Sequence, residues 1–387
     1  MITKERIKMM AHEVGFDACG VTLPISKREA EERFQNWIRE GKHGGMKYLE
    51  EYELRKQNFW ARFPDVKSII VLGVNYYSKE LNPPPFAGED RGGGNLKEAS
   101  STLPSYPSSI KGERDVFTGR VARYAWGKDY YRVIRGKLEI LQRKIREEAG
   151  PDYKTQFESS VDTKPFLERT LAEQAGLGFI GKQTQLLSLQ FGPWLFLSEL
   201  ITNLNLEPDR PFFGSCGTCR LCIDTCPTEA IEESGTVDAR KCIAYLTIEH
   251  KTEIPIELRP RIGNWVFGCD ECIRVCPYTA KQKESNWADL KADAGFGSEL
   301  DLLKLLEIKS NREYEKLFGN TAISRASRKQ LFRNACVVLG NTGSETALLL
   351  LQKVLEDSSP LVREHTAWAI KRIRDRALVA VKGTVFA

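Results

Sequence analysis

Two cysteine runs restrict this chain more than any other feature. CGTCRLCIDTCP spans Cys216 to Pro227, with four cysteines separated by two, two and three residues and a proline after the last. VFGCDECIRVCP, from Val266 to Pro277, repeats the pattern with valine in the first cysteine's place. An iron–sulfur cubane needs four thiolates around one compact cluster. A CxxCxxC loop supplies three, and the cysteine before the proline is carried by the next helix to a neighbouring cluster. The runs must therefore cooperate: Cys216, Cys219 and Cys222 bind one [4Fe-4S] cluster completed by Cys276, while Cys269, Cys272 and Cys226 bind a second. That second cluster is one thiolate short, and Cys242, in DARKCIAYL between the runs, is the candidate for its last ligand. Zinc also takes CxxC pairs, but paired four-cysteine runs ending in Cys-Pro are the ferredoxin pattern.

Ten cysteines in a small secreted chain would suggest disulfides. Here seven lie in the two runs of a 387-residue chain, which favours metal ligation. Cys19 and Cys336 read as buried apolar thiols. The N-terminus MITKERIKMMAHEVGF is an amphipathic helix pattern rather than a signal peptide, and no stretch approaches eighteen apolar residues. The expectation is a cytoplasmic protein with no membrane span. At 41% hydrophobic and 28% charged, the chain can form two or three domains with their own cores. Its net charge of +5 is unevenly spread: the segment from Thr321 to Ala387 has eleven Lys and Arg against five Asp and Glu, leaving residues 1–320 at −1. A basic tail is a possible footprint for a polyanion.

Along the chain, the first 60 residues suggest two helices, and VKSIIVLGVNYY (66–77) suggests a buried strand. From Leu81 to Asp115, Pro, Gly and Ser are too dense for a regular element, which predicts a long loop. A strand and a long helix follow in residues 119–150, then strand, helix, glycine-rich turn and hairpin in 156–203. In AGLGFIGKQ, Gly176, Gly178 and Gly181 permit close backbone approach, although the spacing fits no phosphate loop or dinucleotide fingerprint. Near the C-terminus, RKQLFRNACVVLGN and PLVREHTAWAIKRI place Arg333 and Arg363 thirty residues apart at the start of similar helical patterns. Such spacing suggests HEAT-type helical units.

Taken together, GKDYYRVIRGKLE, VDT (161–163), ERTLAEQAGLGFIGKQT, the double cysteine run, CIAYLTIEH and FRNACVVLGN resemble the epoxyqueuosine reductases, in the same order over essentially the whole chain. These are cobalamin-dependent iron–sulfur enzymes of queuosine formation in tRNA. The resemblance implies an α+β chain: a nitroreductase-like cobalamin-binding domain in residues 1–205 with an 81–115 insertion, a ferredoxin-like two-cluster domain in 206–285, and a HEAT-like tRNA-binding domain in 286–387. Corrinoid reductive dehalogenases share the first two parts, and a ferredoxin-type carrier with a helical arm is the non-enzymatic alternative.

By the same resemblance, reduced cobalamin opens the epoxide and Asp162 gives the proton, a role that suits a carboxyl whose pKa is raised by burial. Asp129 is the second candidate, its structural alternative being a helix N-cap. Arg55, Asp162, Gly178, Phe179, Gly181, Lys182, Ser198, Tyr245 and Thr247 are expected around the corrin, held base-off because none of His12, His43, His250 and His365 lies in a DxHxxG arrangement. Tyr131 stands where the family usually has histidine and Gln183 where asparagine is usual. Arg325, Arg328, Lys329, Arg333 and Arg363 are expected to hold tRNA phosphates beside the modified anticodon base. An external ferredoxin- or flavodoxin-type donor and a monomeric state complete the expectations.

Overall fold

The protein is described by a computed structural model covering residues 2–79, 117–150, 154–280 and 282–384. The loop expected at 81–115 lies outside the described residues. Helix α1 (Lys4–Val14) is capped by the Thr3 hydroxyl, which accepts the Arg6 N–H. It buries Ile7, Met10, Ala11 and Val14 at helical spacing and stops at Gly15, whose φ of 111° suits glycine. Strand β1 (Ala18–Thr22) follows. It was not expected, because ACGVT is too short and too small-featured to show alternation. Helices α2 (Arg28–Arg39) and α3 (Tyr52–Arg62) precede β2 (Ser68–Asn75), the expected β-branched strand, buried at every position.

Next come β3 (Thr118–Val121), α4 (Tyr130–Ala149), β4 (Phe157–Ser160), α5 (Glu168–Gln174), the hairpin β5 (Phe179–Ile180) and β6 (Leu186–Leu187), and β7 (Leu195–Thr202). Strands β1, β2, β7 and β4 form one antiparallel sheet in that order. Side chains alternate across a strand, so the sheet has two apolar faces. Leu72 and Leu200 meet Ile7 of α1 and Ile134 and Leu138 of α4, while Ile69, Val71 and Ile201 meet Phe59 of α3 and Leu171 of α5. The result is a helix–sheet–helix sandwich.

Short helices α6 (Leu221–Asp224), α7 (Ile243–Ile248) and α8 (Glu271–Arg274), with strand β8 (Trp265–Phe267), make up the cysteine-rich segment. Strand β9 (Glu299–Asp301) and helices α9 (Leu302–Leu306), α10 (Asn311–Phe318), α11 (Arg328–Thr342), α12 (Leu348–Val354) and α13 (Pro360–Thr384) follow. A second sheet, ordered β8-β3-β9, takes one strand from the first third of the chain and two from the last. Val266 lies in it, fully buried, and a Cβ on Gly119 would come within 2.7 Å of the valine Cβ. The position of the absent cysteine is thus a packed strand residue.

Helices α11 and α13 run in the same direction with a thirty-residue offset: Cys336 meets Thr366 at 3.2 Å, and Gly340 lies against Trp368 and Ala369. The flanks of α11 are apolar almost all round, and residues 330–340 are buried throughout. This corrects the expectation for Arg333. It is fully buried, and its guanidinium donates to the carbonyls of Leu246, His250 and Thr252 at 2.6–2.7 Å, so it ties α7 to α11 and has no face for a phosphate. Among the described residues no helix is long and apolar enough to cross a membrane.

Candidate active site and cluster sites

The first cysteine group lines a cavity: Cys216, Cys219, Cys222 and Cys276, with Gln183, Ser215, Leu221, Pro277 and Tyr278. The glycine-rich turn forms part of its wall. The Lys182 N–H points at Cys216 Sγ (3.5 Å), its Nζ donates to the Cys219 carbonyl (2.9 Å), and Gln183 Nε2 lies 3.9 Å from Cys276 Sγ. Phe179 packs between Phe212, Tyr278 and Cys276. A Cβ on Gly178 would lie 2.3 Å from the Leu187 carbonyl, and one on Gly181 would lie 2.4 Å from Gln183 Oε1. These glycines serve the tight β5–β6 hairpin, and the structure places Phe179 and Lys182 against this cysteine loop rather than beside Asp162.

The second group is half-buried. Cys242 is the N-cap residue of α7, and the Ala230 N–H donates to Cys226 Sγ at 3.3 Å. Burial, then the neighbouring Cys242 and Cys226, raises the Cys272 thiol well above its ordinary range. Burial dominates at Cys269 as well, with Cys272 and Cys242 among its charged neighbours. Burial likewise raises Cys222 and Cys276 in the first group, whose other members are the neighbours that act on them. Cys222 also acts on Cys272, which sets the two groups side by side. Thr247 secures the arrangement from inside α7: its hydroxyl donates to the Ile243 carbonyl (2.7 Å) and accepts the Gly268 N–H (2.9 Å), just ahead of Cys269. Among the described residues no three His, Cys, Asp or Glu converge on one ion-sized point. Two groups of four thiols suit two multi-atom clusters better than single ions.

Asp162 stands at the end of β4 with φ of 56°, a left-handed conformation that aspartate tolerates better than most residues. Contrary to the expected burial, it is exposed in the polypeptide itself. Tyr130 and Tyr131 both donate to its Oδ2, at 3.2 and 3.3 Å. Burial first and the Asp162 charge second raise both phenols, so they remain donors at neutral pH. Tyr131 thus puts a hydroxyl on Asp162 from the position where histidine is usual. Asp129 is the N-cap of α4, its Oδ1 accepting the Tyr131 N–H (3.1 Å) and pairing with Arg325 (3.2 Å). It therefore supports the tyrosines instead of competing with Asp162. Arg325 lies over both rings, 4.6 and 4.3 Å from their centroids.

Other expected residues gather nearby or scatter. Tyr48 is pushed up to about 12 by burial and then by Glu249, Asp162 and Tyr131, with Arg55 acting in the opposite sense, so Arg55 borders the same space. Ser198 is fully buried on β7, and its Oγ finds no partner among the described residues. Tyr245 is buried and its hydroxyl accepts the Gly45 N–H at 2.6 Å, bracing the loop that precedes α3. Of the basic residues, Lys329 and Arg363 are exposed, whereas Arg328 pairs with Asp357 at 2.8 Å. His365 is buried between the Leu361 carbonyl and the Ile254 N–H.

Sequence reasoning passed over two glutamates. Glu168 Oε1 accepts the Asp162 N–H (2.9 Å) and the Ser160 hydroxyl (3.2 Å). Glu199, fully buried on β7, is the cross-strand partner of Ser160. Burial, then Asp162, pushes Glu168 up to about 8; burial, then Glu168, raises Glu199 well above the carboxylate range. The readable signal was a charged residue in the middle of LFLSELIT, a run otherwise suited to a buried strand.

A family model described as "Epoxyqueuosine reductase QueG, DUF1730" matches residues 57–163, and one for a "4Fe-4S double cluster binding domain" matches residues 215–279. An epoxyqueuosine reductase of Xanthomonas campestris is 36% identical over 368 residues, covering 94% of each chain. The chain belongs to the epoxyqueuosine reductase family. It is an oxidoreductase carrying a two-cluster iron–sulfur domain. Its structure is similar to that of an epoxyqueuosine reductase crystallised with an epoxyqueuosine-modified tRNA-Tyr stem loop, with a TM-score of 0.79 and 29% identity, covering 96% of this chain and 90% of the other. It is also similar to a Bacillus subtilis family member described with the catalytic aspartate loop swung out of the active site (TM-score 0.78, 28% identity, 96% and 90% coverage).

Proposed function

We propose that the chain reduces epoxyqueuosine to queuosine in the tRNA anticodon loop, with Asp162 as the proton donor. The observation that carries this reading is the placement of Asp162: a carboxyl held out at a left-handed turn between two tyrosine hydroxyls. The net reaction takes two electrons and two protons, and removes the epoxide oxygen as water. Cobalamin, when bound, supplies a nucleophile strong enough to open a strained ring at carbon. Ser198, whose buried hydroxyl lacks a partner among the described residues, and Arg55, which stands near Tyr48 and acts on it, are the residues we assign to holding it. Tyr245 and Thr247 act further out, bracing the loop before α3 and the second cysteine run. The two cysteine groups would hold the clusters that supply electrons to the cobalamin, with an external donor of ferredoxin or flavodoxin type reloading them.

The tyrosine hydroxyls aim the Asp162 oxygen and stabilise its ionised form once the proton has left. The loop named in the Bacillus subtilis relative corresponds in this reading to the segment around Asp162, which must come and go with the substrate. Lys329 and Arg363 offer exposed charge for the phosphates, and Arg325 lies over the tyrosines that hold Asp162. The working division is a cobalamin-binding part in residues 1–205, a cluster-binding part in 206–285 and a HEAT-like part in 286–387, linked through the shared β8-β3-β9 sheet. The protein is taken to act in the cytoplasm as a monomer.

The test is reconstitution with iron, sulfide and cobalamin. About eight irons, one corrin and conversion of epoxyqueuosine in a tRNA stem loop are expected. Clusters without corrin binding would favour an electron carrier, and turnover of haloorganic compounds without tRNA turnover would favour a dehalogenase.

A further inference from the structure

We infer that Glu168 is a positioning residue that holds Asp162 in its working place, and that Glu199 keeps Glu168 in that role through a proton shared between the two carboxyls. The inference rests on Asp162 being the proton donor, but it concerns how that residue is held. The Asp162 backbone adopts a conformation that a non-glycine residue rarely keeps without support. Its N–H has one acceptor, Glu168 Oε1 at 2.9 Å, and that oxygen also takes the Ser160 hydroxyl at 3.2 Å. Glu168 thus joins the last residue of β4 to the left-handed turn after it.

A carboxyl in this position needs holding itself. Glu199 is fully buried one strand away, opposite Ser160, and the polar side chains acting on its carboxyl are Glu168 and Ser160. Ser160 faces Glu199 across the paired strands and donates to Glu168, which sets the two carboxyls side by side, and the remaining donor for this pair is a carboxyl proton. Two carboxyls this close, one fully buried and one half-buried, favour keeping a proton over double ionisation, which agrees with the upward displacement of both. The groups facing the pair are Asp162, whose charge favours retention of the proton, and the neutral Ser160.

The experiment compares the cluster- and cobalamin-loaded full chain with Glu168→Ala, Glu168→Gln, Glu199→Gln and Asp162→Asn. It measures hydrogen exchange of the peptide spanning residues 157–167 and steady-state turnover of a modified stem loop. Glu168→Ala should speed exchange at the Asp162 amide about tenfold, the scale of one lost hydrogen bond. It should lower kcat by about ten- to a hundredfold, as misplacement of a reacting group does, with KM within about twofold of the parent. Glu168→Gln retains the acceptor and should keep parental exchange. Glu199→Gln donates an amide N–H where the carboxyl gave its proton, and should keep parental exchange. Unchanged exchange and kcat in Glu168→Ala would overturn the positioning role. Glu199→Gln behaving like Glu168→Ala would overturn the shared proton. Full turnover in Asp162→Asn would remove the proton-donor reading while leaving the exchange result to stand on its own.

Discussion

The second cysteine group and the Glu168–Glu199 pair face the same difficulty and resolve it differently. Both crowd acidic groups into partly buried space, where burial and like charges favour the protonated forms. In the cysteine group, the charge of an iron–sulfur cluster would displace the protons, and its binding would draw together segments as distant as Cys226 and Cys272. In the glutamate pair a proton stays and becomes the link. Metal therefore joins long stretches of chain, whereas the proton adjusts a single turn, the one that carries Asp162.

The comparison can be broken first on the metal side. Cys242→Ala should reduce iron from about eight per chain to about four and take turnover to background, because the electron path is cut; eight irons and unchanged cluster spectra would place the last ligand elsewhere. Next in size, Asp162→Asn should lower kcat by about 10²- to 10⁴-fold with both clusters and cobalamin retained, as read from iron content and the corrin spectrum.

Stability against pH sharpens the proton side. The folded pair binds more protons than the unfolded chain between an ordinary carboxylate pKa near 4.5 and the raised value of about 8 at Glu168. Its contribution is therefore complete at low pH and is lost as pH rises through that range. The thermal midpoint of the parent should fall more between pH 6 and pH 9 than that of Glu199→Gln. Parallel curves for the two proteins would mean that the pair holds no extra proton. The smallest effect is expected where charge is neither buried nor shared: Lys329→Glu with Arg363→Glu should weaken stem-loop binding severalfold and reduce its salt slope by about two, measured by titration at several salt concentrations.

The cysteine groups were legible from sequence because cluster chemistry dictates spacing, and counting ligands pointed to Cys242, which the fold sets beside Cys272. The core strand β2 and helix α4 were legible because their apolar periods are long. Asp162 could be found only through family resemblance, since one Asp in VDT looks like any turn residue. Arg333 was misread because FRNACVV shows a basic residue on a helix, while its burial comes from α7 and α13, both remote in sequence. Phe179 and Lys182 were expected beside the corrin, and the fold sets them against the first cysteine group. The glycines beside them reflect a backbone approach, but sequence cannot say whether the approaching group is a ligand or the chain's own Leu187 carbonyl.

The β8-β3-β9 sheet bears on how the molecule is made. Strand Thr118–Val121 leaves the ribosome early, yet its two neighbours, Trp265–Phe267 and Glu299–Asp301, are synthesised more than a hundred residues later. Until then its edges are open to other partners, and closing so long a loop is slow. A chain cut after the cluster segment would lack β9 and leave that edge uncovered. The three parts are therefore expected to mature together, as one late event in synthesis, rather than one after another.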